Sequence, residues 1–419
     1  MHCWVIVLVK LKGFQKLTIT DKALSYWFEA LHLSKPEVEQ VDLQDCLGRV
    51  LAQDFVAAED LPRFNKSAMD GYAVKATDLA GATQFKPKKL QLTESIQVES
   101  GYAKQVWTGN PIPEGADSVV MLENTKINGE VLEVWSQLAP GANVSKQGED
   151  TKKGTKIAAA GTRLNPYHIG LAAAFGYTSL SVAKKPSIAI LPTGNELVEV
   201  GTIRSDSQIY DSNKLMIAAM CIELGAQTTQ LPIAKDKVDE IAENITLALK
   251  TSDAIITTGG TSVGGLDLVP EVVNKIGKPG VIVHGVALRP AMPTAIGVLE
   301  GKPVLILSGN PVAAVIGFEV FGRPLICRML GMPKEEPRQI VNAVLGRNVA
   351  SALGRKTYVR VHVALVDGEL VAQPVSAKGS GSITTMTQSN GYLVVPENRE
   401  GITQGEIVTI RMFGNMEVL

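Results

Sequence analysis

The chain has 419 residues, 45% of them hydrophobic, and sets Lys+Arg 41 against Asp+Glu 42. That length exceeds one hydrophobic core and implies several domains, each with enough apolar residues to bury an interior. The near-zero balance of charge removes the basic surface that nonspecific nucleic-acid binding needs, while leaving room for a local cationic pocket.

Residues 1–9 form an apolar run ahead of Lys10 and Lys12. A signal peptide has its charge before the apolar stretch and a small-residue cleavage site after it, and a membrane span is longer. The run therefore reads as a strand, an extension or translation from an upstream start. Residues 21–33 (DKALSYWFEALHL) place apolar side chains at helical spacing behind Asp21, a candidate cap. From about 84 to 135 the pattern becomes short β-type runs separated by turn signals such as Asn128-Gly129. This is read as a small β-rich domain (58–145) inserted into a helical and extended one (1–57 with 146–183), whose second part carries a helix at 166–176.

After Lys184-Lys185-Pro186 the order becomes strand, turn, helix, repeated. Strands are expected at 187–191, 226–233 and 253–258, and helices at 213–224 and 238–250. Residues 295–307 read as a hairpin around Glu300-Gly301, followed by one long apolar helix over 312–330. Such alternation specifies a largely parallel sheet covered on both faces, assigned to 184–333. The remainder, 334–419, returns to β structure, opening with a hairpin at 357–375 that turns at Asp367-Gly368. The fold class is multidomain, α/β plus β. Cys3, Cys46, Cys221 and Cys327 form no CxxC or CxH spacing, which argues against zinc or a disulfide framework and for reduced thiols in the cytoplasm.

Open α/β sheets bind ligands at the carboxyl ends of their strands. Three strand ends here run into unusual turns. TTGGTSVGGLD (257–267) offers Gly259, Gly260, Thr261, Ser262 and Gly264, a composition that allows successive backbone N–H groups to cradle an anion, or simply makes a tight turn. LSGNPVAA (307–314) puts Ser308, Gly309 and Asn310 before Pro311, either as a plain helix start capped by Asn310 or as a phosphate contact. PTGNEL places Glu196 at a strand end. Glu196, Asp211, Asp236 and Asp267 can converge there, and carboxylates beside phosphate require a bridging divalent cation, usually Mg²⁺; each alone reads more readily as a cap or a solvated group, and their joint position at strand ends shifts the balance. Arg289 adds a fixed cation suited to an oxyanion. His284 reads as a packed or edge histidine and Met292 as a packing residue. The combination points to a polyphosphate or oxyanion ligand, a divalent metal and no covalent nucleophile.

The blocks LPRFNKSAMDGYAV, WTGNPIPEGADSVVMLE, GANVSKQGEDTKKGT, PTGNEL, QIYDSN, TTGGTSVGGLD and SGNPVAA, in this order, resemble the MoeA family, related to the gephyrin E domain. The resemblance runs from about Leu17 to the C-terminal end. It implies a small helical/extended domain, a β-rich inserted domain, a MogA-like three-layer α/β domain that binds molybdopterin and a C-terminal β-barrel-like domain. It also implies a cytoplasmic homodimer with a site shared between subunits and no membrane association. The implied reaction takes adenylated molybdopterin and molybdate, cleaves the phosphoanhydride with a divalent cation and yields metal-loaded cofactor and AMP; a molybdopterin adenylyltransferase is an implied partner. Carried over by position, Asp70, Thr108, Glu196, Asp236, Asp267 and Pro311 are functional residues, with Glu196, Asp236 and Asp267 as the Mg²⁺ set. Asp70 also reads as a turn former, and Thr108 as a hydroxyl that satisfies local backbone.

The chain departs from the family pattern at Asn65-Lys66 (for Asp-Asn), Asn195 (for Asp), Ser308 (for Pro) and in Arg289-Pro290-Ala291-Met292-Pro293 (for KPGKP). Exchanging Lys for Met at 292 removes a charge-assisted hydrogen bond worth about 1.5–3 kcal/mol. The expectation is altered anion handling: weaker molybdate affinity, a tungstate preference, or a carrier, sensor or scaffold that binds pterin without inserting metal. Adenylylation of the pterin is a weaker reading, because the chain carries the additional domains of the later enzyme.

Overall fold

The computed structural model describes residues 17–261, 267–333, 338–375, 379–415 and 417–418, so the apolar run at 1–9 lies outside the described residues. The chain divides into two compact units: Met1–Glu39, Gly48–Ala52 and Ser181–Leu419 form one, and Gln40–Leu47 and Gln53–Leu180 the other.

The larger unit is built on a six-stranded sheet ordered Gln227–Gln230, Ser187–Pro192, Ala254–Thr258, Lys302–Leu307, Ala295–Leu299 and Pro279–His284. The first four strands are parallel, and the last two join as an antiparallel hairpin and edge. Because side chains alternate across a strand, the continuous apolar runs feed two cores. Ile188, Ile190, Ile256 and Leu305 face one layer with Ile217, Cys221 and Phe318. Ala189, Leu191, Ile255 and Ile306 face the other with Ile241, Ile245 and Val272. The helices Asn213–Glu223 and Pro311–Gly317 belong to the first layer, and Val238–Thr251 and Leu268–Ile276 to the second. This is the three-layer, parallel-rich arrangement expected.

Two local differences have physical causes. The helix expected at 21–33 spans Thr20–Leu31 with Ile19 at its cap position, so Asp21 lies inside the first turn and pairs with Lys356 instead. It belongs to this unit: Trp27 is fully buried, its Nε1 donates to the Gly297 carbonyl at 2.8 Å, and its ring meets Phe321 edge-on. The single helix expected over 312–330 is three pieces, Pro311–Gly317, a π turn at Phe318–Gly322 and Arg323–Met329. Pro324 has no N–H to continue an α-helical ladder, and the wider turn before it accommodates the missing bond.

Beyond residue 338, the strands Ile340–Leu345, Lys356–Val366, Glu369–Pro374, Gly391–Val395 and Ile407–Met412 close into a barrel, because Lys356–Val366 pairs with both Glu369–Pro374 and Gly391–Val395. Leu345, Val361, Val363, Val395 and Ile410 fill it. One short strand matters for the site. Leu288–Arg289, leaving the α/β sheet, pairs parallel with Lys356–Thr357 of the barrel, and the Lys356 N–H donates to the Ala287 carbonyl at 2.9 Å.

The smaller unit carries a six-stranded sheet ordered Ser118–Met121, Gly71–Val74, Tyr102–Val106, Lys88–Leu92, Val131–Val134 and Thr125–Asn128. Tyr72, Leu79, Leu90, Val120 and Leu132 form its core. Its helix Pro166–Ala174 opens with a capping box in which Asn165 and His168 satisfy each other's backbone N–H groups. Among the described residues no helix is long and apolar enough to cross a membrane.

Candidate active site

In the larger unit, the chain runs from Ser187–Pro192 outward to one neighbouring strand and later returns to the other, Ala254–Thr258, making a crevice at their carboxyl ends. The Thr193 N–H donates to the Thr258 carbonyl at 2.9 Å, so the two turns are laced together. Gly260 has φ +64°, and a Cβ there would lie 2.5 Å from Val269 Cγ2 and 2.8 Å from Thr193 Oγ1. A Cβ on Gly259 would meet the Thr193 carbonyl oxygen at 2.3 Å. Both glycines are dictated by close approach. Around them Thr193, Thr257, Thr258 and Thr261 each bury a hydroxyl, and Asn213 a carbonyl oxygen, with no hydrogen-bond partner among the described residues. Buried polar atoms without partners are costly, so a cup of them at a strand end is a site for a polar ligand. Ser262 and Gly264 lie outside the described residues.

Three carboxylates stand at or near this edge. Asp236 and Asn195 bond reciprocally, each accepting the other's backbone N–H at 3.2 Å. Asn195 therefore ties the turn that presents its neighbour Glu196, whose carboxylate folds back over Gly194, 2.8 Å from where a Cβ would lie. Asp267 stands apart, 3.9 Å from His284 Nε2. Burial lowers the His284 pKa and the Asp267 charge opposes the shift. His284 lies on the sheet's edge strand, as expected. Among the described residues no three Asp, Glu, His or Cys side chains gather to hold a metal ion, so Glu196, Asp236 and Asp267 do not form the expected set. Asp211 is not part of the edge either. It is buried under the start of the helix Asn213–Glu223, accepts the Lys214 N–H at 3.1 Å and lies 3.8 Å from Lys214 Nζ. Desolvation raises its pKa, against the pull of Lys214.

The turn at 308–311 continues from the crevice. The Gly259 N–H donates to the Leu307 carbonyl at 3.0 Å, and Asn213 Nδ2 donates to the Gly309 carbonyl at 2.8 Å. Pro311 opens the helix as expected. Asn310 holds the cap position, yet its side chain makes no cap bond; its own N–H is received by Ser308 Oγ at 3.3 Å.

Ser308 and Asn310 also line a cavity of about 840 Å³ between the α/β layers and the barrel. Arg289, Arg347, Arg355 and Arg360 line it, and among the described residues no carboxylate does. The short ladder between Leu288–Arg289 and Lys356–Thr357 sets Arg289 opposite Thr357, two residues past Arg355. Arg360 is half-buried, its Nε has no partner among the described residues, and burial lowers its pKa. Like charges gathered on one cavity repel, so guanidiniums with no carboxylate among the described lining residues make a receptor for an anion. Met292 lines the same cavity as an apolar wall.

In the smaller unit, Asp70 Oδ1 accepts both the Thr108 N–H and the Thr108 hydroxyl at 2.7 Å each. These bonds, the backbone one first, hold the Asp70 carboxyl below its ordinary pKa. Gly71 follows because a Cβ there would lie 1.9 Å from the Val120 carbonyl oxygen. Asn65 accepts the Gln147 N–H at 2.9 Å, and Lys66 pairs with Ser145 in a short strand, so both are tied into the backbone framework of this unit.

Residues 18–176 match the MoeA N-terminal region (domain I and II), 189–328 the "Probable molybdopterin binding domain" and 342–413 the MoeA C-terminal region (domain IV). A Methanocaldococcus jannaschii protein named for molybdopterin biosynthesis is 37% identical, over 96% of this chain and 98% of its own length. The Bacillus subtilis molybdopterin molybdenumtransferase is 36% identical, over 89% of each. This chain belongs to the MoeA family. The crystal structure of the molybdopterin biosynthesis MoeA protein from Pyrococcus horikoshii superimposes with a TM-score of 0.82 at 29% identity, covering 95% of this chain and 100% of that one.

In this MoeA-family chain the structure places the expected Gly259, Gly260 and Thr261 at the crevice and Arg289 and Ser308 at the cavity, and it bonds Asp70 to Thr108. Sequence reasoning did not single out Thr193 and Asn213 at the crevice, or Arg347, Arg355 and Arg360 at the cavity. Thr193 and Asn213 lie inside motifs already marked, PTGNEL and YDSN, and their polarity beside buried strands was a usable signal. The three arginines carried none, since only the barrel's closure onto Leu288–Arg289 brings them to one cavity.

Proposed function

We propose that the chain is a molybdopterin molybdenumtransferase of molybdenum cofactor biosynthesis, which binds adenylated molybdopterin at the threonine- and glycine-lined crevice and a tetrahedral oxyanion in the arginine cavity. The observation that carries this reading is the shared turn. Leu307 and Gly309 bond into the crevice, while Ser308 and Asn310 line the cavity, so pterin and oxyanion meet across one peptide segment.

In this reading the crevice hydroxyls and backbone N–H groups position the phosphoanhydride, and the arginines neutralise the oxyanion as it approaches the dithiolene sulfurs of the pterin. Glu196 and Asp236, presented by the Asn195 bracket, are the residues to hold a divalent cation. Such a cation is commonly bound by one or two carboxylates plus substrate phosphates, which fits this pair without a third ligand. When bound, it offsets the charge that grows on the phosphates during cleavage. Family membership further supports a homodimer in which Asp70 and Thr108 of one copy complete the site of the other; a monomeric mass by light scattering at working concentration overturns that arrangement.

The carrier, sensor and scaffold readings gain no observation. Weak anion binding through the loss of a lysine at 292 loses its basis too, because three further arginines serve the same cavity. The test is AMP release from adenylated molybdopterin with Mg²⁺, titrating molybdate and tungstate separately. Oxyanion-dependent release with metal appearing on the pterin is expected; tight binding of the adenylated pterin without release overturns the transferase.

A further inference from the structure

The four arginines of the cavity do not arrive in the same way. Arg289 lies on the short ladder, Arg355 immediately precedes the barrel strand that completes it, and Arg360 lies within that strand. Arg347 comes from a separate turn, the one that follows Ile340–Leu345. That turn is tied to the neighbouring strand, because the Gly346 N–H donates to the Ala372 carbonyl at 2.9 Å. Arg347 Nη2 donates to the Pro374 carbonyl at 2.7 Å. One N–H of the fork thus anchors the guanidinium to the cavity wall, and no carboxylate is bonded to it among the described residues. A flexible, solvent-directed arginine lacks such an anchor. Across the same cavity, Met292 contributes bulk and no charge.

We propose that Arg347 is an affinity-determining ligand for the tetrahedral dianion, supplying the cation that the Met292 wall lacks. This rests on the reading of the cavity as the oxyanion site. A fork with one N–H fixed to backbone loses little freedom when its remaining donors take an oxyanion, so its contribution to binding is large for an exposed residue. Charge at position 292 and charge at position 347 are then interchangeable in part.

The experiment is equilibrium dialysis of the full chain against molybdate, read by elemental analysis, for wild type, Arg347→Met, Met292→Lys and the double variant. Thermal melts check that each folds. Arg347→Met is expected to weaken molybdate at least about 10-fold, the size of one charge-assisted bond. Adding Met292→Lys to it is expected to recover most of the loss, which a merely structural role for Arg347 does not allow. Unchanged affinity in Arg347→Met, or a double variant no tighter than Arg347→Met alone, overturns the proposal while leaving the cavity's function intact. Failure of the wild type itself to bind molybdate overturns the functional reading and this proposal with it.

Discussion

On one side of the turn at 308–311 the crevice is made of glycine backbone, threonine hydroxyls without partners among the described residues and the Glu196–Asp236 edge; on the other, the cavity is lined by arginines. The first is suited to a ligand that brings its own cation, the second to a bare anion. A single pocket serving both would place carboxylates beside arginines, and they would pair with one another rather than with substrate. Separation by one peptide segment keeps each set of charges available.

The largest expected effect comes from breaking the crevice side alone. Asp236→Ala should lower AMP release by about 100-fold or more, the scale on which metal stabilisation of developing charge operates, while molybdate binding by dialysis stays as in the wild type. Breaking the cavity side should do the converse. Arg355→Met or Arg360→Met is expected to weaken molybdate by about 10- to 100-fold, following a charge-assisted bond of about 1.5–3 kcal/mol, and to leave adenylated-pterin affinity unchanged by calorimetry. A variant that damages both affinities equally would show that the two regions are one site.

Gly260→Ala sharpens the comparison structurally. Its Cβ collides with Val269 and Thr193 in a left-handed backbone, so unfolding by denaturant should show a loss of about 1–3 kcal/mol, with pterin binding lost and molybdate binding kept. The smallest effect belongs to the smaller unit. Thr108→Ala removes one of the two bonds to Asp70 and should raise the Asp70 pKa part of the way to its ordinary value, followed by carboxyl carbon NMR. The depressed pKa means that Asp70 favours the folded state above the ordinary carboxylate range and loses that preference as pH falls through its folded value. The variant narrows that acid window.

How far the sequence revealed these regions follows from how each is built. The crevice is assembled from strand ends, and strand ends carry their signature locally: apolar runs ending in TTGGT, PTGNEL and SGNP mark both the sheet and its ligand edge. The α/β layers, the hairpin at Glu300-Gly301 and the turn at Asp367-Gly368 were legible for the same reason. The π turn was hidden because Phe318–Gly322 keeps helical apolar spacing, and only Pro324 hinted at the interruption. The cavity was hidden because it is a product of closure. Arg347 and Arg360 are far from Arg289 in sequence, and no periodicity within any of their segments says that a barrel strand will pair with Leu288–Arg289. The spacing of Glu196, Asp236 and Asp267 along the chain does not say which of them share a bracket: Asn195 ties Asp236 to the turn of Glu196, while Asp267 lies 3.9 Å from His284 Nε2.

The central claim is that oxyanion and pterin occupy separate regions joined by the turn at 308–311. Crystals of the protein grown with molybdate, measured at the molybdenum absorption edge, test it most directly. An anomalous peak within hydrogen-bonding distance of Arg289, Arg347, Arg355 or Arg360 is the result expected. A peak in the crevice between Thr193 and Thr261, with the arginine cavity empty of molybdenum, would contradict it.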